Sequence, residues 1–255
     1  MTASVERQCL KPYEPVNRLK SVADGLAIVD GPEIHMDYLA GLYIPFTTRM
    51  TVVTLADGGL WVHSPIPLTD ALKREIDALG PVRHLVAPNR IHFWWVGDWK
   101  EAYPDARAHA APGTAAQARK KGRFHDYHTM LGDAPEPEWA GEIDQLALAG
   151  SFMTEIVFFH RKSRTLILTD MIENFEPDRV DCRWLRPLLS LGGVADPHGS
   201  MPRDLRLTFL FRRRRLREAV HTMIGWAPQR IVLAHGRWYR ENGTEELRRA
   251  FRWIV

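Results

Sequence analysis

Side chains that can bind a metal ion or move a proton follow predicted β-strands at three places in this chain of 255 residues. In chain order they are His92, Asp170 and His235. Imidazole and carboxylate groups serve as general acids and bases and as ligands of divalent metals. Ordinary structural roles are also open to them, such as a backbone contact for His235, a helix cap for Asp170 and packing for His92.

Four more polar residues lie in or beside predicted strands, and we expect them to support the site or to contact a substrate. They are His63, Asn89, Glu155 and His160. A buried imidazole that pairs with a carboxylate satisfies polar groups that are otherwise costly to bury. His63 precedes Ser64, but adjacent strand residues point to opposite faces. A serine nucleophile activated by this histidine is therefore not expected.

The composition is that of an ordinary globular protein. Hydrophobic residues make up 45% and charged residues 25% of the chain, which argues against disorder and against a coiled coil. The formal net charge of +3 is too small to indicate a nucleic-acid partner, and Arg212–Arg215 is interpreted as a solvated helix end. A chain of this length can bury one core, so we expect residues 1–255 to form a single domain.

The cysteines and the N-terminal residues bear on the compartment. Cys9 and Cys182 are the only cysteines and lie far apart, which predicts neither a disulfide framework nor a metal-binding cysteine pair. The N-terminal residues lack the apolar run of a signal peptide, and no stretch approaches the ~20 apolar residues of a membrane span. We expect a cytoplasmic protein without a membrane partner, whose oligomeric state the sequence leaves open.

Hydrophobic patterning predicts two halves, each with antiparallel strands followed by helices. Asp57 and Gly58, between two strand-like runs, indicate a tight hairpin because both residues tolerate positive φ. The further predicted elements are helices at 68–79, 92–103, 114–121, 204–224 and from 244, and strands at 82–87, 106–110, 143–148, 155–160, 165–170 and 230–234.

This order of elements favours an α/β fold, a four-layer αββα sandwich in which two mixed β-sheets pack face to face with helices outside. A doubly wound parallel sheet is the alternative. The predicted hairpins argue against it, because neighbouring parallel strands need a crossover connection and cannot be joined by a tight turn.

Several segments resemble, in order, motifs of the metallo-β-lactamase superfamily, over roughly residues 25 to 240. They are Leu60–Pro65; Val86–Gly97, at the place of the first ligand loop; Gly150–Phe158, similar to G-H-T-P-G-S-V-V-F; Leu166–Asp170, similar to L-F-T-G-D; and Ile231–Gly236, similar to V-V-P-G-H-G. The resemblance implies an αββα sandwich and metal-dependent hydrolysis. The combination of L-W-V-H-S-P-I, A-P-N-x-x-H and H-R-x-S-x-T-L-I-L-T-D is similar to an uncharacterised bacterial and plant family, a domain of unknown function.

The resemblance also implies an altered metal site. Asp170 and His235 match ligand positions of the superfamily, whereas the first loop keeps only His92 where the superfamily reads T-H-x-H-x-D-H. Phe152 or Met153 stands where another histidine is usual. A two-metal site with a bridging water as nucleophile cannot then form in its usual way. Two imidazoles and one carboxylate suit one zinc, iron or manganese ion, and a site without metal is the alternative.

Two functions are open at this point. The first is a metallo-hydrolase-like enzyme with a degenerate, mononuclear site that cleaves an ester, thioester or lactone bond in a small molecule, with His92, Asp170 and His235 around the reactive centre. The second is a non-catalytic binding or regulatory protein that keeps the fold without metal. Iron at the same three residues would also permit redox chemistry, which no other feature of the sequence favours.

Overall fold

The computed structural model describes residues 8–39 and 42–255. The strands are β1 (Leu19–Ala23), β2 (Leu26–Asp30), β3 (Ile34–Leu39), β4 (Leu42–Phe46), β5 (Arg49–Thr54), β6 (Leu60–His63), β7 (Val82–Ala87), β8 (Arg107–Ala110), β9 (Thr129–Met130), β10 (Ile143–Ala149), β11 (Thr154–His160), β12 (Thr165–Ile167) and β13 (Arg230–Val232). The α-helices are α1 (Asp70–Leu79), α2 (Val96–Ala102), α3 (Thr114–Lys120), α4 (Leu185–Gly192), α5 (Arg203–Leu207), α6 (Arg213–Gly225) and α7 (Gly243–Ala250).

Two mixed sheets form the centre of the molecule. One has seven strands in the order β1-β2-β5-β6-β7-β8-β9, antiparallel as far as β6 and parallel beyond it. The other has the order β10-β11-β12-β13, with only the last pair parallel. The predicted hairpins are present, since β5 and β6, and β11 and β12, are antiparallel neighbours. The hairpin of β3 and β4 stands apart from both sheets.

Buried side chains alternate along β11 between two apolar clusters. Ile156 and Phe158 belong to the cluster between the sheets, where the Phe158 ring meets Trp61 of β6 with centroids 4.8 Å apart. Val157 and Phe159 face the opposite cluster, which contains α6 and α7. A further cluster joins the seven-stranded sheet to α1 and α2. Because successive strand residues point to opposite faces, this arrangement yields the layers helix, sheet, sheet, helix, and the predicted αββα sandwich is confirmed.

Two predicted helices differ in extent from the observed ones. Residues 92–95 form turns, and α2 begins only at Val96. The Asn89 side chain accepts hydrogen bonds from the backbone N–H groups of Ile91 and His92 in this segment. The helix predicted at 204–224 is divided into α5, a short 3-10 turn and α6. The break places the Phe209 side chain, 1% exposed, in the core. Helical periodicity alone does not reveal such an interruption.

Cys9 and Cys182 form a disulfide, so the expectation of no disulfide framework is wrong. The bond ties the segment before β1 to the segment that leads into α4, inside a small apolar cluster with Leu10 and Leu185. The separation of 173 residues concealed the pairing, because spacing in the sequence does not show which segments meet in space. None of the described helices is long and apolar enough to cross a membrane.

Several histidines are buried in this fold without the charge partners that would keep them protonated. His63 stacks on Trp61 with ring centroids 5.5 Å apart, and burial lowers the pKa of His63 to about 3. His109 packs against His84 and Trp139, and burial lowers the pKa of His109 to about 3 as well. Both imidazoles are therefore neutral in the folded protein near neutral pH.

We predict that mild acid destabilises the protein through these imidazoles. A histidine in the unfolded chain titrates near pH 6.5, so below that pH the unfolded state binds protons that the folded state does not. The free energy of unfolding should fall as the pH drops from about 6.5 towards 3, by up to about 1.4 kcal/mol per pH unit for each histidine. Urea denaturation at pH 7 and pH 5 measures this difference.

The His63→Phe variant should show a smaller loss of stability between these two pH values than the wild type. His125 is exposed, and His125→Phe serves as the control. An unchanged pH dependence in His63→Phe would show that this imidazole does not contribute.

Candidate metal centre

His92, Asp170 and His235 lie together at one edge of the sandwich, although they come from distant parts of the chain. His92 lies in the turns between β7 and α2, Asp170 follows β12, and His235 follows β13. Their ligand atoms lie within 4.8 Å of one another. Nε2 of His92 and Nε2 of His235 are each 3.3 Å from an oxygen of Asp170, and the two nitrogens are 3.2 Å apart.

Both imidazole rings are held by their other nitrogen. Nδ1 of His235 donates to the backbone carbonyl oxygen of Thr47 at 2.6 Å, and Nδ1 of His92 is 2.7 Å from the hydroxyl of Ser64. A carbonyl oxygen only accepts, so Nδ1 of His235 carries a hydrogen, and Nε2 is the nitrogen that a metal ion would use. Such an outer partner fixes the tautomer that a metal-binding histidine needs.

Asn89 connects the loop of His92 to the end of β12. Its side-chain oxygen accepts the backbone N–H groups of Ile91 and His92 at 2.8 and 3.1 Å. Its side-chain nitrogen lies 2.5 Å from an oxygen of Asp170 and 2.9 Å from the hydroxyl of Thr169. Asn89 is fully buried. Its amide therefore fixes the position of the backbone at the start of the first loop and the position of the Asp170 carboxylate.

Glu155 lies behind Asp170 at the start of β11 and is fully buried. Its carboxylate accepts the backbone N–H of Thr169 at 2.7 Å and that of Asp170 at 2.9 Å. Burial, with the nearby negative charge of Asp170, raises the pKa of Glu155 to about 7. Through these two hydrogen bonds, Glu155 fixes the position of the backbone at Asp170.

The pKa of Asp170 is shifted in the opposite direction. Burial alone would raise it, but the imidazoles of His92 and His235 outweigh burial and hold the pKa of Asp170 well below its usual value. The carboxylate is therefore ionised at neutral pH and able to bind a cation.

Arg49 fixes the segment that carries His235. It donates to the backbone oxygens of Leu233 and Gly236 at 2.5 and 2.9 Å and pairs with Asp30 at 2.6 Å. Gly236 has φ of +80°, and a Cβ there would lie 2.1 Å from the backbone oxygen of Asn174. A side chain cannot be accommodated at this position, so the turn after His235 depends on glycine.

The three residues form part of the wall of a cleft of about 950 Å³. Phe93, Trp94 and Trp95 also line it, and of these three Phe93 is buried. Glu173, which also lines the cleft and is 7% exposed, was not expected at the site; burial raises its pKa to about 8.

Two of the expected supporting residues do not touch the three central side chains. His160 and Glu155 lie at opposite ends of β11, about 17 Å apart at the usual rise per strand residue. The His160 ring forms a hydrogen bond with the hydroxyl of Ser163. His63 packs on Trp61 between the sheets, and no hydrogen bond or ion pair joins it to His92, Asp170 or His235 in the described part of the chain. Ser64, the neighbour of His63 in the chain, contacts His92, which the sequence did not show.

Solved structures with a similar fold are metallo-β-lactamases. The enzyme from Hirschia baltica has a TM-score of 0.60 at 15% identity, over 91% of this chain and 95% of its own. The FIM-1 enzyme from Pseudomonas aeruginosa, in its mono-zinc form, has a TM-score of 0.59 at 13% identity, over 93% and 96%. The enzyme from Erythrobacter litoralis has a TM-score of 0.59 at 13% identity, over 92% and 96%. At such identities the likeness establishes the fold alone.

No curated protein matches the chain. A protein family matches residues 35–206, more than half of the sequence, and its description is "Domain of unknown function (DUF4336)". The protein therefore belongs to this family, a divergent family of the metallo-β-lactamase fold.

Proposed function

We propose that the protein is a mononuclear metallo-hydrolase that cleaves an ester, thioester or lactone bond in a small molecule. The observation that carries the proposal is the convergence of three ligand atoms, from His92, Asp170 and His235, on one point in the wall of a cleft. Both halves of the chain contribute to this point, which also favours one domain over residues 1–255.

The donor set fits one divalent ion. Two imidazole nitrogens and one carboxylate oxygen form the kind of three-residue set that leaves further positions open for water or substrate. Nε2 of His235 is the nitrogen available to an ion, because its Nδ1 is bound to Thr47. The similar FIM-1 structure is a mono-zinc form, which supports a single ion in this fold. Zinc, iron and manganese all suit the donors.

A bound ion would act as a Lewis acid that polarises the substrate carbonyl and acidifies water. The chain's own groups would hold the ion and orient the reactants. Asp170, ionised at neutral pH, would serve as the carboxylate ligand, and Asn89 keeps that carboxylate in place. The water oxygen forms a bond to the carbonyl carbon, the bond from that carbon to oxygen or sulfur breaks, and a proton of the water passes to the leaving group.

We predict that protein purified without chelator contains about one equivalent of zinc, iron or manganese. His92→Ala, His235→Ala and Asp170→Asn should each lower the metal content at least about tenfold, because each removes one of only three protein ligands. Elemental analysis of the folded variants measures this. His125→Ala and His198→Ala, at exposed positions, are the controls.

The same preparations should hydrolyse at least one compound in a panel of esters, thioesters and lactones, and lose that activity when the metal is removed. Protein that holds no metal, and whose thermal stability is unchanged by chelator, would contradict the proposal and favour a non-catalytic binding protein.

Glu155→Gln should weaken metal binding by about 10- to 100-fold. The amide nitrogen of glutamine cannot accept the backbone N–H that one carboxylate oxygen now accepts, so the backbone of Asp170 loses a fixed partner. Competition with a metal-binding dye measures the affinity. Glu142→Gln is a matched control, since Glu142 also accepts a backbone N–H but is only partly buried and does not line the cleft. Equal affinities in both variants would show that Glu155 does not position Asp170.

A further inference from the structure

The cleft is far larger than the three central residues require. Its volume of about 950 Å³ lies near the upper end of the range for small-molecule sites. Most of the residues that line it are aliphatic or aromatic, and the charged ones are grouped. Size and lining together indicate a substrate with a long apolar part.

One wall of the cleft is apolar and begins at His235. The ring of Phe46, at the end of β4, lies 5.0 Å from the His235 ring, centroid to centroid. Phe46 and Ile44 pack against a buried cluster that includes Leu185 and Leu189 of α4. Leu188, on the same helix, also lines the cleft and is 43% exposed. An alkyl chain that passes His235 would therefore be enclosed by side chains without charge.

A second wall, which includes residues next to His92 in the chain, is basic. Arg90 is fixed by hydrogen bonds of 2.9 Å to the backbone oxygen of Phe152 and to the side-chain oxygen of Gln117. Arg123 lies over the ring of Trp94 at 5.2 Å, and Lys121 also lines the cleft. Arg90 belongs to the loop after β7, and Lys121 and Arg123 follow the end of α3.

The acidic residues that line the cleft lie elsewhere. Asp170 belongs to the central cluster, Glu173 follows it, and Asp204 is in α5. An anionic group in the cleft would thus meet opposite charge on the wall formed by Arg90, Lys121 and Arg123, and no charge on the wall formed by β4 and α4.

We propose that the cleft binds an anionic amphiphile, with its alkyl chain against β4 and α4 and its phosphate or carboxylate group against Arg90, Lys121 and Arg123. A carbonyl between these two parts would lie at His92, Asp170 and His235. The inference rests on the proposed function for its reaction, and it then specifies the substrate as an acyl ester or thioester whose leaving group carries the negative charge.

Binding of model amphiphiles to metal-free protein tests the inference without any need for catalysis. Isothermal titration calorimetry would compare dodecyl phosphate, butyl phosphate and the neutral dodecyl maltoside, each below its micelle concentration. Dodecyl phosphate should bind at least tenfold more tightly than butyl phosphate, since burial of each methylene raises affinity by up to about fourfold. It should also bind about threefold to tenfold more tightly than dodecyl maltoside. Affinity that is independent of chain length, or of charge, would overturn the inference.

Matched variants locate the two parts of the ligand. Leu188→Glu should weaken dodecyl phosphate binding at least tenfold, whereas Leu191→Glu, on the same helix but outside the cleft lining, should not. Arg90→Gln and Lys121→Gln together should remove the preference for phosphate, whereas Lys120→Gln should leave it unchanged. Equal effects of variant and control would place the binding outside the cleft.

The two proposals fail separately. If the protein binds amphiphiles selectively but never binds a metal ion, the proposed hydrolase function is refuted and the proposed amphiphile site is still supported. Metal binding without amphiphile selectivity would refute the amphiphile site alone.

Discussion

The buried carboxylate of Asp170 is the constraint on which the rest of the site depends. A charge removed from water is costly unless opposite charges or hydrogen-bond donors surround it. Here two imidazoles and the amide of Asn89 contact the Asp170 carboxylate, and the backbone N–H of Asp170 donates to Glu155. Each of these partners is held in turn by a further contact. The result is a continuous polar network in which the position of one carboxylate fixes both histidines.

Each of the two sheets contributes different residues to this network. His92 lies in the loop after β7 of the seven-stranded sheet, and Thr47 and Arg49, before and at the start of β5, hold the segment of His235 by hydrogen bonds. Asp170, Glu155 and His235 lie in or directly after strands of the four-stranded sheet. Contacts between residues 188 positions apart, such as Thr47 and His235, therefore join the halves at the site. The geometry of the site depends on the packing of one sheet on the other, and the Trp61 and Phe158 contact lies in that interface.

Local patterns in the sequence were sufficient for much of the fold. The turn at Asp57 and Gly58 and the helical spacing before Gly80 predicted β5, β6 and α1 because both signals act over a few residues. The division between α5 and α6 was missed because the burial of Phe209 is a tertiary effect. The partners of His92 and His235, and the disulfide, were missed for the same reason, since each joins segments that are distant in the sequence. His160 was expected near the site together with Glu155. The two residues lie at opposite ends of β11, and only the Glu155 end reaches the site.

Anomalous diffraction from crystals of protein purified without chelator is the most direct test of the central claim. Data collected at the zinc, iron and manganese absorption edges should show a single strong peak between His92, Asp170 and His235. For zinc, both Nε2 atoms should lie about 2.0 to 2.1 Å from the peak. A cluster that shows no peak at any of the three edges in ordered crystals, or a metal bound elsewhere on the chain, would contradict the account.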